Sequence, residues 1–224
     1  MSLENLSKRI EGLKSNLFET IEAIEILKVI DTKIDFIRKN HFDSFIVSLQ
    51  SVMINSAILS LCKIFEENKD SNNIRKLHNS LWCNFRLFPN QEQTKSFYQQ
   101  EKYTFFQLDS LSERFTAKDL LAFVSSTLES FYNKFTTDIK ALKAMRDTKI
   151  AHSDLKKQAF DKTTWERIDI LVRFLREYVD ILNSHLFDIC ESSDDDTEPC
   201  TLLYSDASKA KRCFERMLNQ LVEK

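Results

Sequence analysis

Apolar residues recur every three or four positions over four long stretches of the chain, the spacing of one buried helix face. The first stretch runs from Leu3 to Arg38 and carries Leu6, Ile10, Leu13, Leu17, Ile21, Ile24 and Leu27 before Asn40 and His41 interrupt it. The second, from Asp43 to Glu67, carries Phe45, Leu49, Val52, Ala57, Leu61 and Phe65, and its centre, SVMINSAILSLC, has no charge. A helix apolar on most of its faces belongs in the middle of a bundle. The polar run ENKDSNN ends it, and a shorter helical piece follows from Ile74 to Phe88.

Thr116 with Asp119 three residues on has the form of a capping box, predicting a third long helix from there to Arg146 through Leu120, Phe123, Leu128, Phe131, Phe135, Ile139 and Leu142. Thr163 or Thr164, followed by Glu166, opens a fourth from Trp165 to about Cys190, with Ile168, Leu171, Val172, Leu175, Val179 and Leu182 as its stripe. The acidic linker ESSDDDTEP separates this from a basic amphipathic helix lined by Ala210, Phe214, Met217, Leu218 and Leu221. Such a helix needs a cover, either its own bundle or a partner subunit. The expected organisation is a helical bundle over residues 1–190 with an aromatic-rich insert at about 88–115, a linker at 191–201 and a C-terminal helix at 202–224.

Composition narrows the class. One glycine and two prolines in 224 residues leave too few turn formers for a sheet protein. With Gly12 the lone glycine, no phosphate-cradling glycine loop can form. The expected fold is all-α, an up-and-down bundle of four to six main helices with an appended C-terminal helix. A net charge of −2 argues against a general nucleic-acid coating protein and leaves room for a local basic site. The five cysteines make no C-x-x-C pair, as scattered thiols of a reducing compartment do. The amphipathic N-terminus is unlike a signal peptide, and no apolar run approaches a membrane span, so a cytoplasmic location without a membrane is expected. Most of the eighteen phenylalanines sit at helical spacing and read as core. Trp82 and Trp165 read as anchors between helices, and His41, His78 and His185 as capping, surface or helix-end residues. Asp194, Asp195 and Asp196 read as solvated linker rather than a cation site.

One segment carries chemistry: KAMRDTKIAHSDLKK, residues 143–157. Arg146 and His152 are separated by five residues, with Asp147 after the arginine and Ser153 and Asp154 after the histidine. In an uninterrupted helix the two side chains would point about 120° apart, so convergence requires the helix to loosen or turn near Ile150. The motif RDTKIAHSD, late in a long helix of an all-helical chain, resembles the signature of the HEPN superfamily. Together with the long N-terminal helix and a second helix ending in KIFEE, it looks like the abortive-infection AbiU-type branch.

The resemblance implies a metal-independent endoribonuclease of toxin or defence type without a cofactor, a homodimer with RNA as substrate and an antitoxin or regulatory protein as a further partner. Cleaving RNA without a metal uses the ribose 2′-hydroxyl against its own phosphate, and needs a base, an acid and positive charge on the phosphorane. His152 titrates near neutrality and Arg146 offers a permanent cationic fork, so these two are the catalytic candidates. Asp147, Ser153 and Asp154 are supporting candidates. Lys143, Lys149, Lys156 and Lys157 would make the same face basic enough to follow an RNA backbone. One histidine per motif is short of an acid and a base, a deficit that a two-fold dimer relieves. The competing reading is a non-catalytic helical interaction module, or one that binds a nucleotide or RNA, with Arg146 and His152 holding the helix end to a neighbouring carboxylate.

Overall fold

The computed structural model describes residues 3–66, 73–88, 93–94, 103–108, 111–149, 162–186 and 201–220. Among these residues the chain forms α1 (Leu3–Thr32), α2 (Ile34–Lys39), α3 (Asp43–Phe65), α4 (Ile74–Cys83), a 3₁₀ turn (Phe85–Leu87), β1 (Gln93–Thr94), β2 (Arg114–Phe115), α5 (Ala117–Lys134), α6 (Thr136–Lys149), α7 (Lys162–Leu186) and α8 (Thr201–Gln220). The bundle is therefore built from eight α-helices, not four to six with one appended. Two expected helices each divide. The first breaks at Lys33, and the third at Phe135, where the Thr136 hydroxyl donates to the Tyr132 carbonyl one turn back. A hydroxyl bonding into the preceding turn bends a helix without glycine or proline to announce it. The all-helical expectation also omitted one small antiparallel ladder, in which Gln93 pairs Phe115 and Thr94 pairs Arg114.

Capping chemistry follows the sequence at α5 but not at α7, which begins at Lys162, so that Thr163 and Thr164 lie inside the helix rather than capping it. The Thr116 hydroxyl accepts from the Asp119 amide, and the Asp119 carboxylate accepts from the Thr116 amide at 2.9 Å, so the box fixes the start of α5. Asn73 does the same for α4, its Oδ1 accepting from the Lys76 amide at 2.8 Å. At the junction of α2 and α3, His41 takes a left-handed conformation, φ 59°, that lets the chain reverse direction.

The main core gathers the inner faces of α1, α3, α4, α5, α6 and α7. Its centre is aromatic: Phe131 stacks on Phe174 with ring centroids 3.6 Å apart, and Phe105 meets Phe131, Phe135 and Phe174 edge-on. Phe105 and Phe106 come from the aromatic-rich insert, which the buried Glu177 carboxylate of α7 pins down. It accepts backbone N–H bonds from Thr104, Phe105 and Phe106 at 2.9, 2.7 and 3.2 Å. A second cluster joins Leu27, Val29, Ile30, Ile37 and Ile46 to Phe214 and Leu218 of α8, so α1 and its neighbours supply the cover that α8 requires. Lys211 reaches Glu25 of α1 at 3.4 Å across that contact. Trp165 packs against both clusters, in keeping with an anchor between helices.

Four expectations need correction. α3 is buried only in part: Ile46, Ala57, Ile58, Leu61, Cys62, Ile64 and Phe65 are inside, whereas Phe45 is 56% and Val52 58% exposed, because the second cluster covers only one side of the first half of the helix. By length and composition this helix is also apolar enough to cross a membrane, contrary to the expectation that no run approaches that; 33% of its most apolar window is buried in the bundle. His78 is buried, not at a surface or helix end, edge-on to Tyr178 at 6.4 Å. Trp82 is 39% exposed and does not serve as an interhelical anchor.

Burial pushes the His78 imidazole down to about 4, an effect that the Leu121 backbone offsets only in part. The unfolded chain binds that proton first as pH falls, so the neutral-His78 contribution is intact above about pH 6.5 and fades toward pH 4, by about 3 kcal/mol in all. Urea denaturation across this range is expected to show the decline in the parent and a flatter profile in His78→Leu. Glu177→Ala orphans three backbone donors and is expected to cost about 3 kcal/mol or more in the same assay.

Candidate active site

Arg146 lies in the last turn of α6, and its position is fixed from three sides. Asn73, 2% exposed, donates from Nδ2 to the Glu66 carbonyl at 2.7 Å, tying the end of α3 to the start of α4. Glu66 is the residue that caps the C-terminus of α3, with its amide bonded to the Cys62 carbonyl at 2.8 Å. From there its carboxylate receives Nη1 of Arg146 at 2.6 Å. Asp147 receives the other edge of the same guanidinium, its Oδ1 lying 2.8 Å from both Nε and Nη2. The Arg146 and Glu66 side chains are 25% and 26% exposed, so the pair is shielded but open at one rim.

The electrostatics follow from this geometry. The hydrogen bond to Glu66, then that to Asp147, raises the guanidinium above its already high ordinary pKa, so Arg146 is a cation at every pH the fold survives. Three of its five N–H groups face carboxylates, which leaves donors for an anionic ligand at the open rim. Cys62 lies beneath the pair and donates from Sγ to the Leu142 carbonyl at 3.6 Å. Burial, only partly opposed by Arg146, pushes this thiol up to about 11, so it is no nucleophile at neutral pH. Among the described residues no three of His, Cys, Asp and Glu gather closely enough to hold a metal ion.

The residues predicted from the motif divide into two groups. Arg146 and Asp147 are in contact, and Lys143 is one turn earlier on α6. The backbone of Lys149 completes α6, while His152, Ser153, Asp154, Lys156 and Lys157 lie outside the described residues. The segment that carries them runs from the C-terminal end of α6 to the start of α7; Arg167, early in α7, pairs at 3.0 Å with Asp138 in the first turn of α6, the opposite end of that helix. Glu66 was not among the expected site residues. A signal for it existed: a carboxylate at a helix C-terminus opposes the helix dipole, and such a residue calls for a cation nearby.

The profile of the HEPN family described as AbiU2 matches residues 3–210. The chain belongs to the HEPN AbiU2 family. No curated protein and no solved structure matches the chain. In this HEPN AbiU2 chain the motif arginine is held by an acid at the end of a different helix. A double-mutant cycle of Arg146→Ala with Glu66→Gln is expected to give a coupling of about 1–2 kcal/mol, well above an exposed pair. Urea denaturation of the four proteins measures it, and a coupling near zero would mean that the pair does not fix the helix ends.

Proposed function

We propose that this chain is a metal-independent endoribonuclease of toxin or abortive-infection type that acts in the cytoplasm on RNA. The observation that carries the reading is Arg146: a guanidinium kept charged and oriented by two carboxylates, at the helix end that leads into the histidine-bearing segment, in a HEPN AbiU2 chain. In the reaction the ribose 2′-oxygen attacks the adjacent phosphorus and loses its proton to a base. The bond from phosphorus to the 5′-oxygen breaks, and the departing oxygen takes a proton from an acid. The products end in a 2′,3′-cyclic phosphate and a 5′-hydroxyl. His152 is the proton carrier, and Arg146 offsets charge on the pentacovalent phosphorane with its outward donors.

A second copy supplies the second histidine. The exposed side of α3 that carries Phe45 and Val52 is a face on which two copies can meet. With the two-fold axis along α3, the helices lie side by side in the same direction, about 8–10 Å apart, and the two Glu66–Arg146 pairs come together at one end. The engagement of Arg146 by Glu66 also favours a second reading, a non-catalytic module in which the motif arginine simply braces α6 against α3.

Cleavage assays on purified variants separate the two. His152→Ala is expected to lower the rate roughly 10²–10⁴-fold. Arg146→Ala is expected to lower it roughly 10²–10³-fold. Circular dichroism checks that both retain the helical fold. Rates equal to the parent in both variants would favour the bracing role. Val52→Glu is expected to convert a dimer to a monomer in sedimentation and to lower cleavage in parallel; an active monomeric parent would rule out the shared site.

A further inference from the structure

The end of α4 carries a second surface that the Arg146 site does not use. Trp82 is 39% and Leu87 45% exposed, and the Trp82 and Phe85 rings lie 6.5 Å apart. Two cations stand over Phe85, the Arg86 guanidinium and the Lys118 ammonium, each 5.9 Å from the ring centroid. Among the described residues neither takes a carboxylate within ion-pair distance, and the acid beside Lys118 in sequence, Asp119, is engaged by Thr116. The result is a partly exposed tryptophan beside a phenylalanine bordered by two cations that form no ion pair among the described residues, on a protein whose total charge is −2.

We propose that this patch binds single-stranded RNA outside the cleavage site, a base stacking on Trp82 and the backbone phosphates lying against Arg86 and Lys118. Aromatic faces combined with cations are the sequence-tolerant way to hold a single strand. A protein partner fits less well, because a stable protein interface covers about 800 Å² per side and centres on a cluster of buried apolar anchors. Among the described residues only Trp82 and Leu87 are exposed large hydrophobic residues here. The patch is also placed to serve the other site. α4 starts at Asn73, which holds Glu66, and Trp82 lies nine residues farther on, roughly 13 Å along the helix axis. That is within the span of a short strand whose next phosphates reach Arg146. The substrate class rests on the endoribonuclease reading, while the binding itself is measurable without cleavage.

The test uses the full chain and a fluorescent single-stranded RNA 12-mer that is 2′-O-methylated throughout, which 2′-hydroxyl chemistry cannot cut. Titration at low salt is expected to quench tryptophan emission in the parent and to leave it nearly unchanged in Trp82→Ala. Anisotropy is expected to show an affinity about tenfold weaker in Trp82→Ala. Arg86→Glu with Lys118→Glu is expected to flatten the salt dependence of binding. No binding by the parent, or affinities within twofold for parent and Trp82→Ala, would overturn the proposal. Cleavage of unmodified RNA is measured alongside. Cutting with no role for Trp82 removes the patch and keeps the endoribonuclease; binding through Trp82 with no cutting keeps the patch and removes the endoribonuclease.

Discussion

The ion pair between Arg146 and Glu66 joins two helix ends that are eighty residues apart in sequence, and the candidate chemistry depends on where it puts them. α6 bears the motif arginine, α3 bears the acid, and Asn73 locks the α3 end to α4. The pair is expensive in isolation, since Glu66 faces the unfavourable end of a helix dipole and both groups lose water. Asp147 on the other edge of the guanidinium offsets part of that cost and prevents the fork from rotating. An arginine held in this way approaches a phosphate with its remaining donors already aimed, which is worth more in a transition state than the same charge on a free side chain.

Behind the pair, the bundle supplies rigidity through aromatic packing rather than through sheet or disulfide. Phe131, Phe174, Phe105 and Phe135 form one interlocked group that α5, α6, α7 and the aromatic insert all share. Glu177 holds the insert in that group by filling a nest of backbone donors with a buried carboxylate. The ion pair between Arg167 and Asp138 ties the first turn of α6 to the beginning of α7.

Much of this was legible in the chain. The stripes of α1, α5 and α7 are buried as their spacing required, and Thr116 with Asp119 marks the start of α5 as written. The breaks at Lys33 and Phe135 were invisible because no glycine or proline marks them; at Phe135 the bend goes with the Thr136 hydroxyl bonding back to the Tyr132 carbonyl. α3 misled because composition reports how apolar a helix is, not which of its sides has neighbours: Phe45 and Val52 belong to the same pattern as Leu61 and Phe65 but lie on a side that the second cluster leaves uncovered. His78 and Trp82 exchanged expected places for a similar reason: one turn apart, they share a side of α4, and spacing does not tell that its His78 end is covered and its Trp82 end open. Of the candidate site, Arg146 and its neighbour Asp147 were singled out by the resemblance of their motif and not by spacing alone, whereas Glu66 required a contact across the fold.

The central claim is that this arginine-centred site cuts RNA by internal attack of the 2′-hydroxyl. The most direct measurement is end-group analysis of single-stranded RNA and tRNA incubated with the purified protein in EDTA. The account predicts fragments that end in 2′,3′-cyclic phosphate and begin with a 5′-hydroxyl, absent when His152 is replaced. Fragments with 5′-phosphates, or cutting that needs an added divalent ion, would contradict it.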